Sequence, residues 1–175
     1  MGYVADIINA PARITRSYAE MMLKDVKAEQ FARLPSAGGK IIQTNHPAFV
    51  FGHLSIYPAR ICAMLGQQGA AVPNPPKFEE LFGNGKPCLD DPKGTIYPPM
   101  DIITKHFFSA FDAALAVVGK TPDTDFNKPN PAEGRFKEMC PTVGAAASFL
   151  MSTHAMSHLG QVSAWRRIMG LGSAM

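Results

Sequence analysis

The stretch TVGAAASFLMSTHAMSHLGQVSAWRRIMG, residues 142–170, decides the fold of this chain. It contains no proline, opens on a threonine that suits a helix N-cap and closes on Gly170, so it predicts one long helix. His154 and His158 are four residues apart, and an α-helix turning about 100° per residue brings such a pair onto one face. Two imidazoles at that spacing can chelate one metal ion.

The apolar positions of this helix share a face with both histidines. The stripe predicted to face the core consists of Ala147, Leu150, Met151, His154, His158, Gln161, Trp165 and Ile168. Trp165 is therefore expected in the core. Arg166 and Arg167 fall in the last turn, where positive charge favours the helix dipole, and they are predicted on the solvated face or at a subunit interface.

A second helix is predicted to begin near Asn45-His46-Pro47, because Asn is a good N-cap and Pro fits the first turn. It runs through His53 to Gly66, and Pro58 is expected to kink or interrupt it. His53 faces the core in this prediction. It would supply a third imidazole, and glycines beside the histidines, Gly52 and Gly160, would allow neighbouring backbones to approach closely.

Two more helices complete the pattern. One follows Pro11, with a buried face predicted at Ile14, Tyr18, Met22 and Val26. The other starts at Pro98-Pro99 and ends before Gly119. The long connections 67–98 and 120–141 are rich in proline, and a short helical turn is predicted at 78–82. The simplest packing is all-α: an up-down four-helix bundle with two long connecting loops, formed by residues 1–175 as a single domain.

Composition narrows the classes of function. The net charge is only +3, and no run of Lys and Arg forms a basic face, so nucleic-acid binding is not expected. The chain starts without a basic segment followed by a long apolar run, and no stretch approaches the roughly 20 apolar residues of a membrane span. A cytoplasmic protein with no membrane partner is expected. Charged residues make up 18%, a low fraction that hints at a subunit interface.

Three imidazoles from two helices would leave an open coordination position, as in catalytic rather than structural metal sites. Zn, Ni, Cu and Fe(II) all suit such ligands. The competing interpretation is that these are hydrogen-bonded core histidines, because the HxxxH spacing is common on helices. His46 could approach the mouth of the site and His106 could support it from the core, but neither is predicted to be a ligand.

The three cysteines, Cys62, Cys88 and Cys140, are far apart and form no CxxC motif. Each is predicted to be a reduced thiol in the core or in a loop. Cys140 precedes the last helix, a position that could lower its pKa, but packing is favoured over nucleophilic catalysis.

Two segments resemble a known family. NHPAFVFGHL (45–54) is similar to the GHL-containing second helix of the DinB/YfiT-like superfamily, and HAMSHLGQ (154–161), followed by RRIMGL (166–171), is similar to its closing motif. The resemblance implies a four-helix bundle that binds a divalent metal through His53, His154 and His158, often as a homodimer. Phe49 stands where many members have Trp.

Members of that family with known activity include transferases and isomerases that use low-molecular-weight thiols. The resemblance therefore implies a metal-dependent enzyme that acts on a small-molecule substrate, either as a thiol-dependent S-transferase or as a hydrolase. The expected metal is Zn or Ni, and the expected cosubstrate is a low-molecular-weight thiol. No residue is placed by spacing as a general base. The alternative is a non-catalytic metal-binding or metal-sensing dimer. A third possibility, a haem held between His53 and His158, has no supporting motif.

Overall fold

The computed structural model describes residues 2–174. Helices account for 61% and strands for 3% of the structure, which confirms the all-α class. The helices are, in chain order, α1 (Tyr3–Met22), α2 (Ala28–Phe31), α3 (Pro47–Ser55), α4 (Tyr57–Met64), α5 (Phe78–Phe82), α6 (Met100–Lys120), α7 (Asp123–Phe126), α8 (Gly134–Met139), α9 (Val143–Ser148) and α10 (His154–Ile168). A 3₁₀ turn spans Gln68–Ala70, and a π-helical turn, Phe149–Thr153, joins α9 to α10.

A small hairpin lies between α2 and α3. Its strands, β1 (Ser36–Ala37) and β2 (Lys40–Ile41), pair antiparallel, with Ser36 opposite Ile41. The two intervening glycines both have positive φ, a conformation that glycine adopts without strain. The sequence analysis predicted no strand here, because two residues are too few to show an alternating pattern.

Helix α1 begins earlier than predicted, and only part of its predicted buried face is confirmed: Met22 and Val26 are buried, and Tyr18 is half-buried. It starts at Tyr3 and continues through Pro11, and the Asp123 carboxylate accepts hydrogen bonds from the first backbone amides of the helix. Ile14, predicted to be buried, is 66% exposed. The buried face consists mainly of small side chains, Ala5, Ile8, Asn9, Ala12, Thr15, Ala19 and Met22. Small residues allow α6 and α10 to approach closely, and the prediction for Ile14 is wrong because this side chain lies away from that face.

The second predicted helix is present and is interrupted as expected. Helix α3 ends at Ser55, and Pro58 lies in the first turn of α4, where its missing N–H is not needed. The N-cap is His46 rather than Asn45: His46 Nδ1 accepts a hydrogen bond of 3.2 Å from the Phe49 amide.

The last helix runs over the predicted range, from its Thr142 cap to the positive-φ Gly170. Trp165 is fully buried, as predicted, but the prediction for Arg166 is wrong. Arg166 is 1% exposed, and its guanidinium donates to the carbonyl of Met22, the last residue of α1, and to that of Lys24 in the turn that follows. Those carbonyls have no partner within their own helix, so they accept from a buried cation.

The long helices pack against one another around one apolar core. Helix α6 lies against α1, α3 and α4, and α10 lies against α1 and α3. Among the described helices, α6 alone is long and apolar enough to cross a membrane by length and composition, and half of its most apolar segment is buried inside the structure. Contacts between α3 and α10 place His53 opposite His154 and His158.

Candidate metal centre

Three imidazoles meet between α3 and α10. One potential ligand atom from each of His53, His154 and His158 lies within 4.8 Å of the others. The ring centroid of His158 is 4.7 Å from that of His53 and 4.7 Å from that of His154. These three residues are the ligands predicted from the sequence, and the structure brings all of them together.

The orientation of His53 is fixed from the end of α5. Its Nδ1 donates to the backbone carbonyl of Phe82 over 2.7 Å, so the Nε2 lone pair points into the cluster. The Phe82 ring packs directly on Gly52, where an added Cβ would lie 2.5 Å from two ring carbons. Gly52 therefore makes room for the Phe82 side chain, whereas the prediction was that it would allow a neighbouring backbone to approach. A Cβ added at Gly160 would meet no heavy atom within 4 Å, and that part of the prediction is wrong.

His158 is held from its own helix. Its Nδ1 donates to Gln161 Oε1 over 3.1 Å, and Asn45 Nδ2 donates to the same oxygen over 2.9 Å. Because Gln161 Oε1 accepts both hydrogen bonds, the orientation of the Gln161 amide is fixed. The imidazole of His158 must then carry its proton on Nδ1. The lone pair of His158 is then on Nε2.

His154 has one ring nitrogen that forms no hydrogen bond with the described residues. Its Nε2 lies 3.3 Å from His53 Nε2, and its Nδ1 is buried without a hydrogen-bond partner among the described residues. The π-helical turn brings the Phe149 ring, five residues earlier, into a stack on the imidazole with a centroid separation of 5.7 Å. Such turns are often found at functional sites, and residue patterns give no signal for them.

Burial keeps all three imidazoles neutral. Burial lowers the pKa of His53 and of His158. It also lowers the pKa of His154 to about 3, and the nearness of two other groups that could become cations, His158 and His53, adds to this shift. The hydrogen bonds to the Phe82 carbonyl and to Gln161 oppose this shift only in part. Neutral imidazoles have the lone pairs that a metal ligand requires.

The donor set fits a divalent ion. With Zn–N bonds of about 2.0–2.1 Å, two nitrogens of a tetrahedral site lie roughly 3.3 Å apart. The Nε2 atoms of His53 and His154 have that separation. The widest pair, within 4.8 Å, would have to close by at most about 1.5 Å to reach the same separation.

Tyr57 belongs to the site and was not singled out from the sequence. Its hydroxyl lies 3.2 Å from His53 Nε2, and burial raises its phenol pKa, so it remains a hydrogen-bond donor at neutral pH. Tyr57 is four residues after His53, the same spacing as between His154 and His158. That spacing places Tyr57 next to His53 on one helix face and could have identified it from the sequence. Arg60 lies over the Tyr57 ring and forms an ion pair of 2.7 Å with Glu79.

A cavity of about 870 Å³ opens beside the cluster, with His154 and Tyr57 in its wall. Both long connections contribute to it: Asn84 comes from the first, and Pro131, Ala132, Arg135, Phe136 and Met139 come from the second. Among the described residues, His154 is the member of the cluster that lines this cavity, so a small molecule bound there would lie beside the three histidines.

The remaining candidate residues lie outside the cluster. His46 and His106 are buried; Nε2 of His46 donates to the Leu89 carbonyl, and Nε2 of His106 lies 3.2 Å from Asn74 Oδ1. All three cysteines are free thiols. Burial raises the pKa of Cys140, contrary to the lowering considered from its position before the last helix, so it is a poor nucleophile.

In comparisons with known proteins, no family model matches this chain, and no curated protein matches it. The resemblance to the DinB/YfiT-like superfamily stays a prediction drawn from the motif residues. The geometry of the three histidines and of the adjacent cavity carries the functional argument.

Proposed function

We propose that this chain binds one divalent metal ion through His53, His154 and His158 and uses it in catalysis. The observation that carries the proposal is the convergence of three neutral imidazoles within 4.8 Å, two of them oriented by hydrogen bonds on the opposite ring nitrogen. Zinc or nickel is the proposed metal, since borderline ions prefer nitrogen ligands. The proposed architecture is a DinB/YfiT-like up-down bundle of α1, α3–α4, α6 and α9–α10.

The cavity beside His154 favours an enzyme over a structural metal site. A metal ion there would supply Lewis acidity to a substrate bound in the cavity. Tyr57 would donate a hydrogen bond at the edge of the site, and Phe149 and the apolar wall would exclude water. We propose a thiol-dependent S-transferase, with a hydrolase as the second reaction type, acting in the cytoplasm on a small molecule.

Metal content tests the ligand assignment. Purified wild-type protein should contain about one zinc or nickel per chain by elemental analysis, and His158→Ala should lose most of it. His106→Ala is the matched control, because it removes a buried imidazole outside the cluster. Unchanged metal in His158→Ala, or equal loss in both variants, would refute the proposal.

Thiol binding tests the reaction class. In protein loaded with Co(II), free cysteine or glutathione should produce a thiolate-to-cobalt charge-transfer band that is lost in His158→Ala. A spectrum that neither thiol changes would refute the thiol-dependent reaction, while leaving the metal site in place.

A metal-binding dimer without catalysis is the second candidate, and an exposed stripe on α1 favours dimerisation. Tyr3, Ile7, Ile14 and Met21 are exposed and fall within a sector of about 40° opposite the buried face. Light scattering should give a dimer mass for the wild type and a monomer mass for Ile7→Glu combined with Ile14→Glu. Ile102→Glu, an exposed apolar residue on α6, should remain dimeric; a monomeric wild type would refute the pairing.

A further inference from the structure

The cavity beside His154 has a continuous apolar wall. Phe136 of α8 packs on Phe149 with a centroid separation of 5.9 Å, and Phe149 stacks on His154 in turn. Met64 and Leu150 extend this wall. A ligand that fills the cavity would therefore place an apolar body against these side chains up to the edge of the histidine cluster.

The charge in the wall is of one sign. Two guanidinium groups, Arg60 and Arg135, line the cavity, and none of its described lining residues is acidic. The charge of Arg60 is offset by Glu79, at 2.7 Å. Arg135 is exposed and forms no hydrogen bond or ion pair with any other described residue. The cavity thus presents one cation without a counterion next to an apolar surface.

We propose that this cavity binds an organic anion: a molecule with an apolar body and one carboxylate, whose charge is recognised by Arg135. An arginine presents a planar array of donors that matches a carboxylate, and an adjoining apolar surface strengthens the pairing by displacing water. A cationic ligand would be repelled by Arg135, and a neutral one would gain no attraction from its charge.

This inference rests on and deepens the proposed function, because Arg135 and His154 line the same cavity. It commits to a substrate class, an amphipathic carboxylic acid, that the histidine cluster alone does not specify. The cation lies in the loop 120–141, so selectivity for the anion is separate from metal binding. The two properties can be measured independently.

The test compares 4-phenylbutyrate with its neutral isostere 4-phenylbutanamide by isothermal titration, in metal-loaded and in chelator-treated protein. The acid should bind about tenfold more tightly than the amide in both forms, equivalent to about 1.4 kcal/mol. Arg135→Gln should abolish this preference without changing metal content. Lys137→Gln removes an exposed charge from the same short helix, outside the cavity wall, and should retain it.

Three results would overturn the inference: equal affinity for acid and amide, no detectable binding of either, or the same effect from Arg135→Gln and Lys137→Gln. A preference seen only in metal-loaded protein would also overturn it, because the anion would then be bound by the metal. If the histidines bind no metal, the chelator-treated measurement still decides the matter, so the two proposals fail separately.

Discussion

Replacing Gly52 with alanine should disturb the histidine cluster without touching a histidine. The new Cβ would lie 2.5 Å from Phe82 Cδ1 and Cε1 and 2.6 Å from Cε2. Ordinary contact starts at 3.4 Å, so the ring must retreat by about 0.9 Å. It has little room, because Phe82 is fully buried and packs on Phe78 and Tyr97.

The magnitude follows from two opposing effects. Overpacking of a buried ring costs about 3 kcal/mol at the upper end of the usual range, and replacing a helical glycine with alanine returns about 1 kcal/mol. We expect a net loss of about 2 kcal/mol in the free energy of unfolding. The Phe82 carbonyl would move with its ring and weaken the hydrogen bond from His53 Nδ1, which should lower metal affinity by about 10–100-fold.

Two measurements on the same variant check this. Urea denaturation of chelator-treated protein gives the stability, and zinc titration against a chromophoric chelator gives the affinity. Gly160→Ala is the matched control: its Cβ meets nothing within 4 Å, so it should gain up to about 1 kcal/mol and bind zinc as the wild type does. A Gly52→Ala variant as stable as Gly160→Ala, with wild-type zinc affinity, would refute the reasoning.

Two further predictions concern buried polar groups. Arg166→Met should lower the free energy of unfolding by about 3 kcal/mol in urea denaturation, because it leaves the carbonyls at the end of α1 unpaired. The control Arg167→Met changes an exposed side chain and should alter the free energy of unfolding by less than about 0.5 kcal/mol. Equal effects of the two variants would contradict the capping role of Arg166. Burial lowers the pKa of His46 below its ordinary 6.5 in the folded protein. As the pH drops below 6.5, the unfolded chain therefore takes up a proton at His46 that the folded chain does not, and the free energy of unfolding falls. His46→Asn should reduce this loss between pH 7 and 5, by at most about 1.4 kcal/mol per pH unit, and an unchanged slope would show that other groups are responsible.

The sequence predicted the long helices and the three converging histidines because both depend on periodicity. Thr142, Gly170 and Pro58 mark helix boundaries through local backbone chemistry, which needs no knowledge of the rest of the fold. The i,i+4 pair His154 and His158 shares a face wherever the helix packs.

The sequence failed where neighbours decide the outcome. Much of the buried face of α1 is made of small residues that pack against α6 and α10, whereas the larger Ile14 is exposed. Arg166 is buried because the end of α1 offers carbonyls, a contact across 144 positions in sequence. Tyr57, the π-helical turn and the cavity wall likewise depend on which loop lies next to which helix.

X-ray absorption at the zinc edge of the purified, zinc-loaded protein tests the central claim most directly. We expect three imidazole nitrogens at about 2.0–2.1 Å and no sulfur, with one imidazole fewer in His154→Ala. A sulfur ligand at about 2.3 Å, or a spectrum unchanged by His154→Ala, would show that the metal binds elsewhere in the chain.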